Sequence, residues 1–318
     1  MALRGGIDLG GTKIQAIVVD DGNTILGQAR RPTPTTGGPD DVIRALADAQ
    51  REAAQAAGTT PDALAGVGLG SPGDVDADAG TIAQAGNLPD WHDAVPVGDL
   101  LGRQLGTRIA IGNDVSVATK AEFDLGAGRP YRSLLGVFWG TGVGGGLILD
   151  GEEWLGRGAA GEIGHMVVKE GGAKCPCGRH GCMEAYAGRK AMELTARERH
   201  ADGEHTRLFK IMEEKGRDRL TSSVWAKAIE HEDKLALHLI DRAYRAIATA
   251  VASAVNLLDI EAIILGGGLG VRFGEPAAAR LAEEMQPHLF NDERPPAVKV
   301  AELGDYGGAL GAAMLVGA

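Results

Sequence analysis

The sequence predicts an α/β fold built from two related units. Its first thirty residues contain three strand-like apolar runs separated by Gly- and Asn-containing turns, a pattern typical of an antiparallel meander. Strand-like and helix-like segments then alternate, which indicates a mixed sheet with parallel crossings. A Gly/Thr turn between two apolar runs occurs twice, once near the N-terminus and once after residue 139. The repeated turn suggests a pair of related sheets that hold phosphate groups from both sides.

The first of these turns is a candidate phosphate and magnesium site. Gly10, Gly11, Thr12 and Lys13 lie between two apolar runs, and Asp8 precedes them. Such a turn exposes backbone N–H groups, and the hydroxyl and carboxylate beside it suit phosphate with Mg²⁺. The segment is not a Walker A loop, because it lacks the Gly-Lys-[Ser/Thr] ending and leads into a strand. An ordinary Gly-rich hairpin is the alternative interpretation.

Residues 39–112 alternate between helical and strand patterns. The helical segments carry apolar residues three and four positions apart, whereas the strand segments are short apolar runs. A polar loop in this region contains Asn87, whose side chain is available to a ligand. The predicted elements are a helix over 39–57, a strand within 66–73, a helix over 97–106 and a strand over 108–112.

The strand over 108–112 leads into Asn113 and Asp114, which begin a predicted helix over 115–125. Asn and Asp are favoured helix N-caps, because a side-chain oxygen accepts a hydrogen bond from an N–H group of the first turn. From the residues alone, the pair is therefore either a helix cap or a chemical site.

Residues 140–146 form the second Gly-rich loop, between predicted strands over 134–139 and 147–149. Gly140, Gly142 and Gly145 satisfy the G-x-G-x-x-G spacing of dinucleotide-binding folds. That fingerprint requires a helix after the loop, and here a strand follows. We therefore interpret the loop as a second phosphate-binding turn and not as a Rossmann fingerprint.

The C-terminal half combines long helices with two further strands. Gly266, Gly267 and Gly268 follow the first of these strands and would let a planar or phosphorylated ligand approach the backbone. A plain strand–helix turn is the alternative. The predicted elements are a helix over 186–199, a charged and solvated segment over 200–219, one or two helices over 224–258, a strand over 262–265, a helix around 275–285, a strand over 298–303 and a small-residue helix over 309–316.

A candidate metal site lies between Glu162 and Glu184, in the segment that contains every cysteine of the chain. One imidazole and three thiolates make the four-coordinate set of a closed structural zinc site. His180 is a competing ligand, and three inert thiols or one disulfide with an odd thiol are the alternatives. Since two carboxylates bracket the segment, a metal here could also hold a polar ligand site in place. The four candidate ligands are His165, Cys175, Cys177 and Cys182.

The pattern E-x-G-H-x9-C-x-C-G-x2-G-C-x-E resembles that of the ROK-family sugar kinases, and most closely the zinc-containing bacterial glucokinases within it. The resemblance covers essentially the whole chain. It implies a two-domain actin/Hsp70/hexokinase-like (ribonuclease H-like) fold with an inter-domain active-site cleft. We expect a small domain of residues 1–113 plus 304–318 and a large domain of residues 114–303 that carries the zinc-binding loop.

The resemblance implies ATP-dependent phosphorylation of a hexose, with glucose converted to glucose 6-phosphate. Asp114 would then be the general base, because a sugar hydroxyl is a poor nucleophile until a carboxylate accepts its proton. The expected cofactors are structural Zn²⁺ and the Mg²⁺ that accompanies ATP. The expected substrate-binding residues are Asn87, Asn113, Asp114, Glu162, His165 and Glu184. The expected ATP-binding residues are Asp8, Gly10, Gly11, Thr12, Lys13, Gly140, Thr141, Gly142, Gly266, Gly267 and Gly268.

Other functions of the same family stay open at this point. The substrate could instead be N-acetylglucosamine, N-acetylmannosamine, mannose or fructose, and the donor could be polyphosphate. A sugar-sensing repressor would carry a winged helix–turn–helix ahead of the kinase-like body, and we expect none because Asp8 already belongs to the first hairpin.

Composition and charge favour a soluble enzyme. Hydrophobic residues make up 44% and charged residues 24% of the 318-residue chain, as in ordinary globular proteins. A net charge of −11 opposes general binding to nucleic acid or anionic membranes. The longest uncharged apolar run, residues 246–258, is too short to span a bilayer. We therefore expect a cytoplasmic protein. The family resemblance implies a homodimer or homotetramer that binds a hexose and ATP.

Overall fold

The computed structural model describes residues 2–317 and divides the chain into two compact units. Unit 1 comprises Met1–Gly126, Leu155–Gly158 and Glu302–Ala318. Unit 2 comprises Ala127–Trp154 and Ala159–Ala301. The C-terminal segment thus returns to the unit that the N-terminal segment forms.

Residues 2–317 form twelve β-strands and ten α-helices, joined by short turns and single-turn 3₁₀ helices. The strands are β1 (Arg4–Leu9), β2 (Lys13–Val19), β3 (Ile25–Pro32), β4 (Val67–Ser71), β5 (Asp74–Asp76), β6 (Thr81–Ala83), β7 (Ile109–Asn113), β8 (Leu134–Trp139), β9 (Val143–Leu149), β10 (Glu152–Glu153), β11 (Ala262–Gly266) and β12 (Ala297–Val300). The helices are α1 (Gly38–Ala56), α2 (Val97–Leu105), α3 (Asp114–Leu125), α4 (Glu184–Ala187), α5 (Arg189–Ala201), α6 (Leu208–Glu214), α7 (Ser222–Glu230), α8 (Lys234–Leu258), α9 (Gly267–Met285) and α10 (Gly307–Met314).

Each unit contains one five-stranded sheet, and the two sheets have the same topology in the described chain. The order is β3-β2-β1-β4-β7 in unit 1 and β10-β9-β8-β11-β12 in unit 2. In both sheets the first three strands pair antiparallel and the last two add in parallel. An antiparallel meander followed by parallel crossings is the arrangement that the alternation of sequence patterns predicts, and it occurs twice.

The sheet of unit 1 is covered by helices on both faces. Ile14, Ala16 and Val18 of β2 pack in one hydrophobic cluster with α1, whereas Ile17 and Val19 pack in another with α3 and α10. Alternate residues of a strand point to opposite faces. Helix α1 therefore lies on one face and helix α10 on the other, and β2 is buried from Ile14 to Val19 for that reason.

Unit 1 as observed extends beyond residue 113, because helix α3 packs within it. The buried carboxylate of Glu122 accepts hydrogen bonds from the N–H groups of Glu302 (3.0 Å) and Leu303 (2.8 Å). Ala121 joins the hydrophobic cluster of α10. These contacts connect α3 with the C-terminal segment, and the unit reaches Gly126.

The Gly-rich segment after Val143 is a strand and not a loop, which corrects the prediction that the loop continues to residue 146. Gly144, Gly145 and Gly146 pair with Phe138, Val137 and Gly136 of β8 in antiparallel register. Glycine weakens the interior of a strand, but it is found there where another backbone segment approaches closely. Here a Cβ on Gly145 would lie 2.7 Å from the carbonyl oxygen of Gly161, so the strand accepts only glycine at this position.

The segment over 200–219 is not simply solvated surface, which corrects a second prediction. Leu208 and Ile211 are buried in the hydrophobic core of unit 2. Their charged neighbours mask this pattern in the sequence, because only one residue in three or four of an amphipathic segment faces the core.

Two helices of unit 2 have bounds that differ from the sequence prediction. The helix predicted over 186–199 is two helices, α4 and α5, which meet at Gly188. Helix α9 begins directly after β11 and is broken at Gly274, which has the non-helical angles φ 60° and ψ −146°. Among residues 2–317, none of the helices combines the length and apolar character that a membrane span requires.

Candidate active site

The first Gly/Thr turn has the geometry of a tight hairpin turn in unit 1. The Gly10 N–H donates to the carbonyl oxygen of Lys13 (2.9 Å), and the Thr33 hydroxyl donates to the carbonyl oxygen of Gly10 (2.6 Å). Asn87 lies against the turn, since a Cβ on Gly11 would be 3.0 Å from the Cβ of Asn87. The structure thus brings a predicted sugar-binding residue next to a predicted phosphate-binding turn.

Asp8 lies beside this turn and against the first residues of α10, where a Cβ on Gly308 would be 2.7 Å from its Cγ. Burial raises the pKa of Asp8, nearby Lys13 lowers it, and Asp305 raises it again, to about 6. Lys13 is engaged elsewhere, because its Nζ forms an ion pair with Asp305 Oδ1 at 2.9 Å. The Asp8 carboxylate is therefore poorly compensated within the chain and suited to a cation from solution.

Sequence reasoning missed the part that Asp305 plays in this group. Asp305 binds both Lys13 (2.9 Å) and Arg30 (3.3 Å), and these pairs keep its own pKa below the usual range, with the hydrogen bond from Lys13 as the largest cause. It lies 292 residues from Lys13, and no local pattern in the sequence indicates such a pair.

Asn113 and Asp114 lie where β7 passes directly into α3. The Oδ1 atom of Asn113 accepts hydrogen bonds from the N–H groups of Val115 (3.0 Å) and Ser116 (3.1 Å), so Asn113 is the helix N-cap. Because this oxygen is occupied, the amide NH₂ group is what Asn113 offers to a ligand. Asp114 is only partly buried, and one of its oxygens accepts from the Val115 N–H at 2.9 Å.

The second Gly/Thr turn, in unit 2, is held from two sides by the segment that runs from α4 into α5. The Val143 N–H donates to Oε2 of Glu184 (2.9 Å), and Nη2 of Arg189 donates to the Thr141 hydroxyl (3.0 Å). Trp139, which precedes the turn, donates from its indole nitrogen to the carbonyl oxygen of Ala187 (2.6 Å). The turn and a carboxylate predicted to bind sugar are thus parts of one hydrogen-bonded assembly.

The Gly triplet after β11 lies next to this turn. A Cβ on Gly140 would be 3.8 Å from the backbone nitrogen of Gly268, so the two Gly loops of unit 2 adjoin each other. Helix α9 begins at Gly267, whose φ of 77° favours glycine. The N–H groups of a helix's first turn have no partner within the helix, which makes this place suitable for an anionic or polar ligand.

The four predicted metal ligands converge on one small volume in unit 2. The ligand atoms of His165, Cys175, Cys177 and Cys182 all lie within 4.8 Å of one another. Gly178 and Gly181, at φ 86° and 84°, turn the short loop that carries the cysteines. The cluster can therefore bind a metal ion, and none of the three cysteines forms a disulfide.

Two distances within the cluster agree with tetrahedral coordination. The Sγ atoms of Cys177 and Cys182 are 3.7 Å apart, as are Nδ1 of His165 and Sγ of Cys175. Zinc–sulfur and zinc–nitrogen bonds of ordinary length imply ligand separations of about 3.5 to 3.8 Å in a tetrahedron. Burial raises the pKa of Cys175 to about 12. Three adjacent thiolates would be unstable without a cation, so the donor set fits a metal such as zinc.

His165 presents its two ring nitrogens to different groups. Nδ1 faces the thiols, whereas Nε2 lies 3.7 Å from Oε2 of Glu162. His180, the competing ligand, lies outside the cluster, and its Nδ1 is 3.1 Å from the carbonyl oxygen of Gly172. A metal on Nδ1 leaves Nε2 directed toward Glu162.

Comparison with known proteins identifies the family. A family model described as the ROK family matches residues 4–318. The chain belongs to the ROK family. This ROK chain is 31% identical over 316 residues to a glucokinase from Thermotoga maritima, an alignment that covers 98% of the chain and 96% of that protein. It is also 32% identical over 321 residues to an N-acetylgalactosamine kinase from a Shewanella species, covering 98% and 95%.

A solved structure supports the same assignment. The ROK chain is similar to the crystal structure of a ROK family glucokinase from Streptomyces griseus in complex with glucose and AMPPNP. The TM-score is 0.84 at 30% identity, and 99% of each chain is covered. The predicted two-domain, actin/Hsp70/hexokinase-like α/β fold is thereby confirmed.

The pKa of Asp8 leads to a prediction about stability. A carboxyl group whose pKa is raised by folding stabilises the protein below its unfolded pKa of about 4, and this contribution is lost as pH rises through about 6. We expect Asp8→Asn to increase the free energy of unfolding by on the order of 2 kcal/mol at pH 7.5 and to have little effect near pH 4. Urea unfolding of the nucleotide-free and Mg²⁺-free protein across this pH range measures the difference.

The control for this experiment is Asp78→Asn, which neutralises an exposed carboxylate far along the chain from Asp8. Its stability should follow that of the parent at every pH. If Asp8→Asn and the parent have parallel stability profiles, the carboxylate is not destabilised by burial.

Proposed function

We propose that this ROK chain transfers the γ-phosphoryl group of Mg·ATP to the O6 hydroxyl of glucose. The chain is a sugar kinase of its family, and the choice of glucose as substrate is the proposal. The observation that supports it most strongly is the likeness, over the whole chain, to a glucokinase crystallised with glucose and AMPPNP. The site geometry adds independent support, because a polar side chain predicted to bind sugar lies beside each of the two predicted phosphate-binding turns.

In the proposed mechanism, Asp114 accepts the proton of the sugar hydroxyl as the bond to phosphorus forms. Its position at the junction of β7 and α3 suits this role, because the strand and the capped helix fix the backbone on both sides. Asn113 would donate a hydrogen bond to a neighbouring hydroxyl through its amide nitrogen, since its oxygen caps the helix.

The remaining sugar hydroxyls would be bound by Asn87, Glu162, His165 and Glu184. Nε2 of His165 lies near Glu162, so an imidazole N–H and a carboxylate oxygen are presented side by side. Such a pair can donate to one hydroxyl and accept from another. A site that pairs polar groups in this way rejects analogues without those hydroxyls, because its own groups would be left without partners.

The donor phosphates would be bound by Gly10 to Lys13 and by the turn at Thr141, with Gly266 to Gly268 on the adenosine side. Backbone N–H groups and hydroxyls bind phosphate oxygens without adding net charge. Mg²⁺ near Asp8 would neutralise part of the charge on the transferring group. The carboxylate of Asp8, which burial destabilises, gains a partner when that cation is present.

We assign zinc to the His165 cluster, where it would be structural and would leave no open coordination position. The ring of His165 would then be fixed through Nδ1, so that Nε2 keeps its direction toward the sugar. Cys182 is followed closely by Glu184, so the orientation of that carboxylate also depends on the cluster.

An N-acetylated hexose is the second candidate substrate. One relative that is 32% identical is an N-acetylgalactosamine kinase, and others at 30% to 31% are N-acetyl-D-glucosamine kinases. These identities equal those to the glucokinases, so overall similarity does not favour either sugar class.

A sugar panel tests the proposal directly. We expect the purified protein to phosphorylate glucose with ATP at a higher kcat/KM than it phosphorylates mannose, fructose, N-acetylglucosamine, N-acetylmannosamine or N-acetylgalactosamine. Polyphosphate replaces ATP in a parallel series and should be a poor donor. A clear preference for an N-acetylated sugar would refute the assignment to glucose and leave the kinase chemistry intact.

The proposed base gives a mutational prediction. Asp114→Asn keeps the size and the hydrogen-bonding oxygen of the side chain but cannot accept a proton, so kcat should fall by on the order of a hundredfold or more. Glucose affinity, measured by calorimetry, should change little. Asp124→Asn, in the same helix and paired with Lys120, serves as the matched control and should retain activity. Turnover of Asp114→Asn within a few-fold of the parent would rule out the assigned role.

The metal cluster gives a second mutational prediction, which links zinc to sugar binding. Cys177→Ala removes one ligand, and we expect it to lose zinc, stability and glucose affinity although no direct sugar contact is removed. His180→Ala is the control, because this imidazole lies outside the cluster and its loss should leave zinc bound. Metal content by elemental analysis and glucose titration are the measurements. A zinc-free variant that binds glucose as tightly as the parent would contradict the link.

A further inference from the structure

Arg189, at the start of α5, is held directly against the second Gly/Thr turn. Its Nη2 atom donates to the Thr141 hydroxyl (3.0 Å), and its backbone N–H donates to the carbonyl oxygen of Gly140 (3.1 Å). The next residue, Lys190, donates from its backbone N–H to the carbonyl oxygen of Thr141 (3.0 Å). The guanidinium is thus placed beside the predicted phosphate-binding turn by three hydrogen bonds.

No carboxylate of residues 2–317 forms an ion pair with Arg189. Glu193 attracts the Arg189 guanidinium electrostatically, but its two oxygens are already occupied by Arg197 (2.7 Å), by Arg219 (3.1 Å) and by the Leu220 N–H (3.1 Å). Arg197 and Arg219 therefore bind this one carboxylate, and the guanidinium of Arg189 adds a third positive charge to the group. The result is a local positive charge in a chain whose net charge is −11.

In the protein without a bound ligand, this arrangement disfavours the charged form of the Arg189 side chain. Burial lowers the pKa of Arg189, repulsion from Arg219 lowers it further, and Glu193 compensates only in part. Arginine stays protonated at neutral pH all the same. A half-buried cation without an anionic partner is most simply explained by an anion that binds beside it.

We infer that Arg189 is a donor-binding residue whose guanidinium binds phosphate oxygens of the nucleoside triphosphate. The inference rests on the proposed function, since that function supplies the polyphosphate ligand. Thr141 takes up one N–H of the guanidinium, and the other N–H groups form a planar fork that matches a phosphate group. Glu184 binds the same turn through the Val143 N–H, so the donor and sugar groups of unit 2 share one support.

The test compares Arg189→Met with Arg189→Lys and with a matched control, Arg197→Met. Arg197 lies on the same helix and carries the same charge, but it contacts Glu193 and not the turn. Calorimetry measures the affinity of each variant for Mg·AMPPNP, for inorganic tripolyphosphate and for adenosine. Tripolyphosphate carries the phosphates without the nucleoside, and adenosine carries the nucleoside without the phosphates.

We expect Arg189→Met to weaken both Mg·AMPPNP and tripolyphosphate roughly ten- to a hundredfold, the range for a lost charged hydrogen bond. Adenosine and glucose should bind as in the parent, Arg189→Lys should recover part of the loss, and Arg197→Met should bind both phosphate ligands within about a factor of two. Unchanged affinity for the phosphate ligands in Arg189→Met would overturn the inference. An equal loss of adenosine affinity would also overturn it, because Arg189 would then only support the loop.

The outcome can be separated from that of the proposed function. Activity of the parent protein on the sugar panel decides the substrate, whereas binding of tripolyphosphate decides the role of Arg189. A parent that prefers another sugar to glucose but binds tripolyphosphate through Arg189 would refute the assignment to glucose alone.

Discussion

The candidate site of unit 2 depends on one constraint: the imidazole of His165 and three cysteine thiols lie within a few ångströms of one another. Backbone hydrogen bonds also shape the loop that carries the thiols, among them those from the Cys175 N–H to the carbonyl oxygen of Arg179 (2.8 Å) and from the Gly181 N–H to that of Ala173 (2.8 Å). The chain continues from Cys182 directly into α4 and α5, which carry Glu184 and Arg189. Both side chains bind the turn between β8 and β9. A metal in the cluster would therefore help to position Glu184 and Arg189, which we propose bind the sugar and the donor phosphates.

The net negative charge of this protein is unfavourable for binding an anionic nucleotide, so favourable charges and dipoles must be placed locally. A chain with net charge −11 repels an anionic nucleotide at long range. The structure places compensating features at the two Gly/Thr turns, with backbone N–H groups at both and the guanidinium of Arg189 at the second. Asp8 is the counterpart for a cation, because its burial makes the charged form unfavourable until a positive ligand arrives. For both residues, burial disfavours the charged form of the side chain.

The prediction from sequence succeeded where short spacing defines the structure. The turn at Gly10, the capped start of α3 and the cysteine loop each lie within a few residues, and backbone stereochemistry limits how such segments can fold. It failed where a segment depends on its surroundings. Gly144 to Gly146 form a strand only because β8 lies beside them, and Leu208 and Ile211 are buried only because the helices of unit 2 enclose them.

By itself, the sequence determined the α/β class, the repeated Gly/Thr turns and the candidate metal-binding segment, because each is encoded in local spacing. Only the tertiary structure decided which distant groups meet. The pairs Lys13–Asp305, Val143–Glu184 and Thr141–Arg189 are separated by 292, 41 and 48 residues. Such contacts depend on how the helices pack on the two sheets, and packing involves the volume and shape of many side chains at once. The same reason explains why Asn113 could be recognised as a cap from its neighbours, whereas the partners of Asp8 and Arg189 could not.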